Sequence, residues 1–91
     1  MPLSLPSTLT NTQANACLQQ LQAGVAQLPA GGVAVVDASA LAVFDSSALA
    51  VLLETRRAAQ AAGKSMQITG LPDAVQTLAR LYGVDGLLLA A

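Results

Sequence analysis

The stretch VAVVDASALAVFDSSALAVLLE, residues 33–54, decides the fold of this 91-residue chain. It opens with a continuous, mostly β-branched run at residues 33–36, which directly follows a Gly-Gly pair and predicts a strand buried on both faces. Residues 38–44 then form a connection that is expected to turn its large apolar side chains, Leu41, Val43 and Phe44, inward. The aliphatic residues beyond it predict a helix over residues 46–62, so the stretch encodes the strand–helix unit that is typical of α/β proteins.

The sequence before this stretch predicts an edge strand and a helix. Residues 3–9 carry leucines on a rough alternation around Pro6, which favours an edge strand or an irregular segment. Thr10 and Gln13 form a Thr-x-x-Gln capping box, a common start for a helix. Apolar residues at three- and four-residue spacing follow it, and they predict a first helix that ends before Pro29.

The sequence after the second helix predicts a strand, a third helix and a tail. Residues 66–69 alternate apolar and polar side chains, as a strand does. Pro72 is placed in the first turn of a helix that Gly83 ends. Residues 84–91 are apolar enough for a short terminal strand or a packing tail. The sequence therefore predicts one α/β domain over residues 1–91, with a short mixed or mostly parallel sheet covered by about three helices.

Composition points to a reducing compartment. Cys17 is the only cysteine, so the chain forms no internal disulfide. No lysine or arginine precedes position 56, and the start therefore lacks the form of a secretion signal. The longest apolar runs are about six residues, against the roughly 18 that a membrane span needs. We expect a cytoplasmic protein with no direct membrane insertion.

The charge pattern argues against nucleic acid as a ligand. The formal net charge is −1, and Phe44 and Tyr82 are the only aromatic residues, so there is neither a basic face for phosphates nor a platform for stacked bases. Charged residues make up 10% of the chain, against about 25% in an average domain. The surface must therefore be unusually apolar, which indicates either a docking face or a genome of biased composition.

Asp45, Ser46 and Ser47 interrupt the aliphatic stretch where the second helix should begin. Asp and Ser are among the commonest helix caps, so capping alone is one interpretation. Because a single residue is enough for a cap, three small polar residues in a row also allow a second one. Their hydroxyl groups would then meet a phosphate or a partner protein at the positive end of the helix. In open α/β sheets such sites lie at the carboxyl ends of the strands, where these residues are placed.

The residues do not form a recognisable catalytic set. The chain has no histidine, its one lysine, Lys64, lies in a predicted turn, and there is neither a Gly-rich phosphate loop nor a spacing typical of metal ligands. Asp37 and Asp45 are expected at the same sheet edge, but two carboxylates without a further catalytic group are weak support for an enzyme. We predict a non-enzymatic protein with no cofactor and no metal.

Residues 35–54 resemble the signature of STAS domains. That signature is a buried strand ending in Asp, a Ser two positions later, and then Asp-Ser-Ser, a small residue and Leu at the start of a helix. With the following Gly-Lys-x-Met-x-Ile-Thr-Gly stretch, the similarity covers about residues 33–83. Within the family, the chain is most similar to the MlaB group, the cytoplasmic subunits of the Mla phospholipid ABC transporter, in its short length, its aliphatic residues 49–53 and the segment TLARLYGV at residues 77–84.

The resemblance has two departures. Ala48 stands where the anti-sigma factor antagonists of the family usually have Gly, which makes close approach by a kinase partner less expected. Residues 1–10 also lack one strand of the family's usual opening hairpin.

The resemblance implies a cytoplasmic adaptor at the inner membrane that binds the ATPase subunit of a phospholipid ABC transporter involved in outer-membrane lipid asymmetry. The hydroxyl that matters for this contact in MlaB proteins corresponds to Ser46. The alternative is an anti-sigma factor antagonist, in which a partner kinase phosphorylates the residue that corresponds to Ser47. Self-association of the isolated domain stays open. The predicted partner-binding residues are Asp45, Ser46, Ser47, Leu49, Arg56 and Tyr82.

Overall fold

The computed structural model describes residues 3–88, which form strands and helices in α/β order. The elements are β1 (Leu3–Ser4), β2 (Thr8–Leu9), α1 (Ala14–Ala26), β3 (Val33–Asp37), β4 (Val43–Phe44), α2 (Ser46–Ala61), β5 (Ser65–Thr69), α3 (Asp73–Leu81) and α4 (Asp85–Leu88). The predicted α/β class and the three predicted helices are confirmed. The parts of our predictions that concern residues 1–2 and 89–91 lie outside the described residues.

The main sheet has three strands in the order β1-β3-β5, and both pairings are parallel. Val33 lies opposite Ser65 and Asp37 opposite Thr69 in the longer pairing. Parallel neighbours need a long crossover connection, and α1 and α2 supply it for the two pairs. The carboxyl ends of all three strands therefore lie at one edge of the sheet, from which α2 and α3 start back.

A second, two-stranded ribbon holds the starts of α1 and α2 together. β2 and β4 pair in parallel, with Leu9 opposite Phe44. The backbone N–H groups of Ala42 and Val43 both donate to the carbonyl oxygen of Ser7, at 2.8 and 2.9 Å. Because β2 precedes α1 and β4 precedes α2, this short ribbon fixes the two helix N-termini side by side.

The prediction that residues 33–36 are buried on both faces is wrong. Ala34 and Val36 are buried, whereas Val33 and Val35 are 48% and 42% exposed. The buried residues of the helices pack against the side of the sheet that carries Ala34 and Val36. A β-branched run indicates a strand, but it does not distinguish one covered face from two, and so short a domain covers only one.

The core lies between this covered face and the helices. Its largest fully buried aliphatic side chains come from β2, β3 and the first three helices: Leu9, Leu21, Val36, Leu49, Leu52 and Val75. Burying a leucine fully contributes about 1.5 to 3 kcal/mol, so these few residues account for much of the stability of a small domain. Thr55 is the one buried polar residue among residues 3–88, and its hydroxyl donates to the Val51 carbonyl at 2.8 Å.

The start of α1 differs from the predicted capping box. The hydroxyl and the backbone N–H of Thr10 both donate to Gln13 Oε1, at 2.8 and 3.0 Å. Only the glutamine half of the box is therefore formed. The Gln13 N–H instead donates to the Thr10 carbonyl at 3.0 Å. Residues 11–13 form a turn, and the helix begins at Ala14.

A lysine closes the other end of α1. The Nζ of Lys64 donates to the Val25 carbonyl at 2.7 Å and to the Ala26 carbonyl at 3.4 Å. Cations at a helix C-terminus satisfy carbonyl groups that have no partner in the helix. This contact joins residues 39 positions apart in the chain, and the sequence did not reveal it.

The described part of the tail packs as a helix rather than a strand. α4 places Leu88 in the core, and the Val84 N–H donates to the Ala79 carbonyl at 3.0 Å. Of the two predictions for this segment, the packing tail is confirmed as far as residue 88, and the strand is wrong over residues 84–88.

Gly70 allows a close approach between two loops at the carboxyl edge, and its replacement should be costly. It has φ +67°, and an added Cβ would lie 2.9 Å from the Cβ of Ser39 and 3.2 Å from its Cα. We expect Gly70→Ala to lower the free energy of unfolding by about 2 to 5 kcal/mol, the sum of left-handed strain and overpacking, as measured by urea unfolding.

Gly63→Ala is the matched control, because Gly63 has φ +73° but no atom within 4 Å of an added Cβ. This variant should lose only the conformational part, about 1 to 2 kcal/mol. Equal losses in the two variants would contradict the tight contact with Ser39.

Candidate partner-binding site

Asp45 is the residue that caps α2. Its backbone is extended, and its Oδ1 accepts the Ser47 backbone N–H at 2.8 Å, as an N-cap side chain does. Its Oδ2 accepts the backbone N–H of Asn11 at 3.2 Å. One carboxylate therefore joins the first turn of α2 to the segment that leads into α1.

These hydrogen bonds favour the ionised carboxylate. The backbone N–H of Ser47 is the largest cause that holds the pKa of Asp45 below its ordinary value, and the N–H of Asn11 adds to it. At the same edge of the sheet, the side chain and the backbone N–H of Ser39 lower the pKa of Asp37. No hydrogen bond within residues 3–88 connects the two carboxylates, so each is stabilised by its own loop.

Ser46 is exposed, as is Asp45, but unlike Asp45 it has no part in the cap. It is the first residue of α2, where backbone N–H groups have no partner within the helix. Neither its hydroxyl nor its backbone N–H forms a hydrogen bond with any residue that the structure describes. Since Asp45 already supplies the cap, Ser46 is not needed for that role, and its polar groups face solvent at the positive end of a 16-residue helix.

Ser47 is less accessible than Ser46. It is half-buried, its backbone N–H is used by Asp45, and the next residue, Ala48, is completely buried. The Cβ of Ala48 therefore lies in the core rather than at the surface. The two serines differ in what can reach them, although they are adjacent in the chain.

Leu49 does not belong to the accessible surface, and its predicted role as a partner contact has to be corrected. It is 2% exposed and lies in the core. Positions three and four residues apart share a face of a helix, so the spacing from Ser46 does not by itself distinguish Leu49 from Ala50. In the structure Ala50 is exposed and Leu53 is half-buried. Leu49 was chosen from the motif, and its burial depends on which side of α2 the rest of the domain packs against.

Val43 is an exposed apolar residue next to the site. It is 55% exposed, so the prediction that it turns inward is wrong, whereas Leu41 is buried as predicted. Val43 belongs to the short ribbon β2-β4, whose formation could not be foreseen from two residues on each strand. Val43, Ala50 and Leu53 are thus apolar residues near Ser46 in the chain that are at least partly exposed.

Arg56 and Tyr82 lie away from this cluster. Arg56 is ten residues after Ser46, about 15 Å along the helix, and its Nη1 is 3.4 Å from Gln60 Oε1. Tyr82 is 59% exposed at the C-terminal end of α3, next to the exposed Leu81. Because α2 and α3 both start at the carboxyl edge of the sheet, Tyr82 is at the far end of the helical layer from Ser46. Of the six predicted partner-binding residues, the structure thus brings together at the surface only the three consecutive residues 45–47.

The capping role of Asp45 predicts a pH-dependent stability. Because the folded-state pKa is lowered, the ionised carboxylate stabilises the fold above the unfolded pKa of about 3.9, and this contribution is lost as the pH falls through the folded-state pKa. We expect Asp45→Asn to be less stable than the wild type at pH 7 and to approach it below about pH 4. Urea unfolding across this range measures the difference.

Ser46→Ala is the control for that series, because it changes a neighbouring polar residue and leaves the carboxylate in place. Its difference from the wild type should not vary with pH. If the Asp45→Asn difference is equally constant between pH 3 and pH 7, the ionised cap does not contribute as described.

Comparison with known proteins places the chain in a family. Among residues 3–88, no helix is long and apolar enough to cross a membrane, and no three His, Cys, Asp or Glu side chains lie together as a metal site would require. A search of curated proteins gives no match. Residues 1–90 match the family described as "Mlab, STAS domain". This match covers nearly the whole chain, and the protein therefore belongs to the MlaB-like STAS domain family.

Proposed function

We propose that this protein is a non-enzymatic adaptor that docks the N-terminal end of α2 on the ATPase subunit of an Mla-type phospholipid ABC transporter. The observation that supports this most is the state of Ser46. Its hydroxyl and N–H are exposed at the positive end of a helix that Asp45 already caps. STAS domains mediate protein–protein interactions, and the MlaB-like family match favours this transporter subunit as the partner.

The surface around Ser46 is suited to a protein partner. Val43, Ala50 and Leu53 offer partly exposed apolar area close to Ser46 in the chain, and Ser46 offers hydrogen-bonding groups. Interfaces of standard size bury about 800 Å² per partner, a patch roughly 30 Å across. A patch of that size centred on Ser46 reaches along α2 to Arg56, about 15 Å away.

Basic and aromatic residues would complete the interface at its far end. The Nη1 of Arg57 lies 3.6 Å from the Oε1 of Glu54, and the Arg57 side chain is strongly exposed. This ion pair therefore contributes little to stability, and an acidic group of a partner could replace Glu54 in it. Arg56 and the exposed Tyr82 are the further contacts that we assign to this end. Tyrosine and arginine are enriched among the residues that contribute most to binding.

An adaptor without catalytic groups acts through the free energy of binding. A protein that binds only the assembled, active form of the ATPase stabilises that form by about 2.7 kcal/mol when present at 100 times its dissociation constant. The domain would do so from the cytoplasmic side of the inner membrane and thereby support the transport that maintains outer-membrane lipid asymmetry.

Ser46→Glu should separate binding from folding. At the start of a helix an added carboxylate is favourable for stability, so the variant should be at least as stable as the wild type. In the complex the same carboxylate would be buried without a partner, which should weaken association by about 3 to 5 kcal/mol, or more than 100-fold. The measurement is titration of the ATPase subunit with each variant.

Ser65→Glu is the control, because Ser65 is also exposed but lies at the start of β5, at the amino ends of the strands and therefore at the other end of the sheet from Ser46. It introduces the same charge and should leave affinity within about twofold of the wild type. Equal affinity of the Ser46→Glu variant and the wild type would overturn the site assignment.

The competing function is an anti-sigma factor antagonist controlled by phosphorylation of Ser47. Its support is the place of Ser47 in the first turn of α2, where a phosphate would meet the helix dipole. Two features favour the adaptor instead. Ser47 is half-buried, and its N–H is already used by the Asp45 carboxylate, which would also repel a phosphate.

Mass spectrometry of the protein from its native cells distinguishes the two functions. We expect no phosphate on Ser47 under any growth condition. A stoichiometric phosphate at this position, together with recovery of a serine kinase as the bound partner, would favour the antagonist.

A further inference from the structure

We propose that the free edge of β5 pairs with β5 of a second copy of the chain, antiparallel and with the two-fold axis at Gln67. This inference concerns the opposite side of the main sheet from β1, and it does not depend on the proposed docking of α2. Three observations support it. Backbone groups along the outer side of β5 are unpaired, β5 has no charge or proline that would hinder pairing, and its side chains fit those of a second, antiparallel copy.

The outer edge of β5 has unpaired backbone groups. The Ser65 N–H donates to the Gly32 carbonyl at 3.1 Å, and the Thr69 carbonyl accepts the Ala38 N–H at 2.8 Å. Backbone groups of alternate residues face a given neighbouring strand. The N–H and C=O groups of Met66 and Ile68 therefore point away from β3, and no residue among 3–88 forms a hydrogen bond with them.

The two edges of the main sheet are protected differently. Within the described part of the chain β1 has two residues, and Pro6 follows shortly after it. Short strands and prolines are the usual devices that keep an edge from pairing with another chain. β5 has five residues and contains neither a charge nor a proline. The preceding Lys64 does not guard this edge, because its Nζ is bonded to the end of α1.

One register satisfies all the outward groups. With Gln67 opposite Gln67 of the second copy, Met66 lies opposite Ile68 of that copy, and the two pairs exchange four N–H···O bonds. A register centred on Met66 would place Ile68 opposite Lys64, whose N–H already donates to the Ala59 carbonyl at 2.8 Å. A register centred on Ile68 would place Met66 opposite Gly70, where the backbone leaves the strand with φ +67°.

The side chains of β5 are self-complementary in this register. Met66 and Ile68 are half-buried on the covered face, and each would meet the other across the new pair. Ser65, Gln67 and Thr69 lie on the open face, and none is charged, so no like charges oppose each other. Two three-stranded sheets would thus join into one continuous sheet of 3 + 3 strands. The free protein is then a dimer whose two α2 N-termini remain accessible.

Charge variants at the two-fold axis test the proposal. In sedimentation equilibrium we expect the fraction of dimer in the wild type to rise as the protein concentration is raised. Gln67→Glu and Gln67→Lys should each weaken the dimer about tenfold or more, because like charges would face each other directly. An equimolar mixture of the two variants should form a 1:1 heterodimer with at least wild-type affinity, since the opposed charges are then opposite in sign.

Val35→Glu is the matched control, because Val35 lies next to Gln67 on the same open face but one strand away from the axis. In the dimer the two added charges would be about 14 Å apart and largely screened. This variant should dimerise like the wild type.

Cysteine variants test the register independently. Directly opposed residues that are not hydrogen-bonded have Cα atoms about 4.5 Å apart, within reach of a disulfide, so Gln67→Cys should cross-link rapidly on mild oxidation. Ser65→Cys should not, because Ser65 faces Thr69 and its own copy is about 14 Å away. The native Cys17 is buried and does not interfere.

Three results would overturn the proposal. The first is a monomer at all concentrations up to about 1 mM, well beyond the micromolar range of ordinary complexes. The second is a dimer that persists in both charge variants, since it would use another surface. The third is a Gln67→Cys variant that cross-links no faster than Ser65→Cys.

Discussion

The site depends on one carboxylate that accepts two backbone N–H groups from different parts of the chain. Asp45 caps α2 through the N–H of Ser47 and holds the segment before α1 through the N–H of Asn11. Neither contact uses Ser46. The N-cap is the residue just before the first helical turn, and here it is Asp45, so Ser46 is not needed for capping. The hydroxyl of Ser46 therefore has no partner among the described residues, which supports the proposal that the motif uses different residues for folding and for recognition.

The single covered face of the sheet explains much of the remaining surface. Because helices cover only one side of the main sheet, Val33 and Val35 are exposed. The main sheet has three strands, so two of them, β1 and β5, are edge strands. The chain has few charges with which to protect such surfaces. We propose one binding surface around Ser46 on the helical layer and a second along the outer edge of β5. A small domain with two separate contact surfaces is suited to an adaptor.

The sequence predicted the features that depend on neighbouring residues, but not the exposure of side chains that is decided by contacts between distant parts of the chain. Periodicity located the helices, and the polar interruption at Asp45 marked the start of α2, because both signals are contained in a few neighbouring residues. The exposure of Val33 and the burial of Leu49 depend on which side of the sheet and of the helix receives its neighbours. The contact of Lys64 with the end of α1 joins segments 39 positions apart, and no local pattern indicates it. The family resemblance predicted the fold, which is confirmed, and it is the source of the proposal that Ser46 contacts the partner, but it did not indicate which residues lie near Ser46.

Amide hydrogen exchange of the domain, alone and bound to the ATPase subunit, tests the central claim most directly. If the α2 end is the docking surface, binding should slow exchange at residues 43–50, where the N–H of Ser46 has no partner within the described structure. Exchange over β3, residues 33–37, should change little on binding. Protection confined to β3 or β5, with residues 43–50 unchanged, would contradict the account.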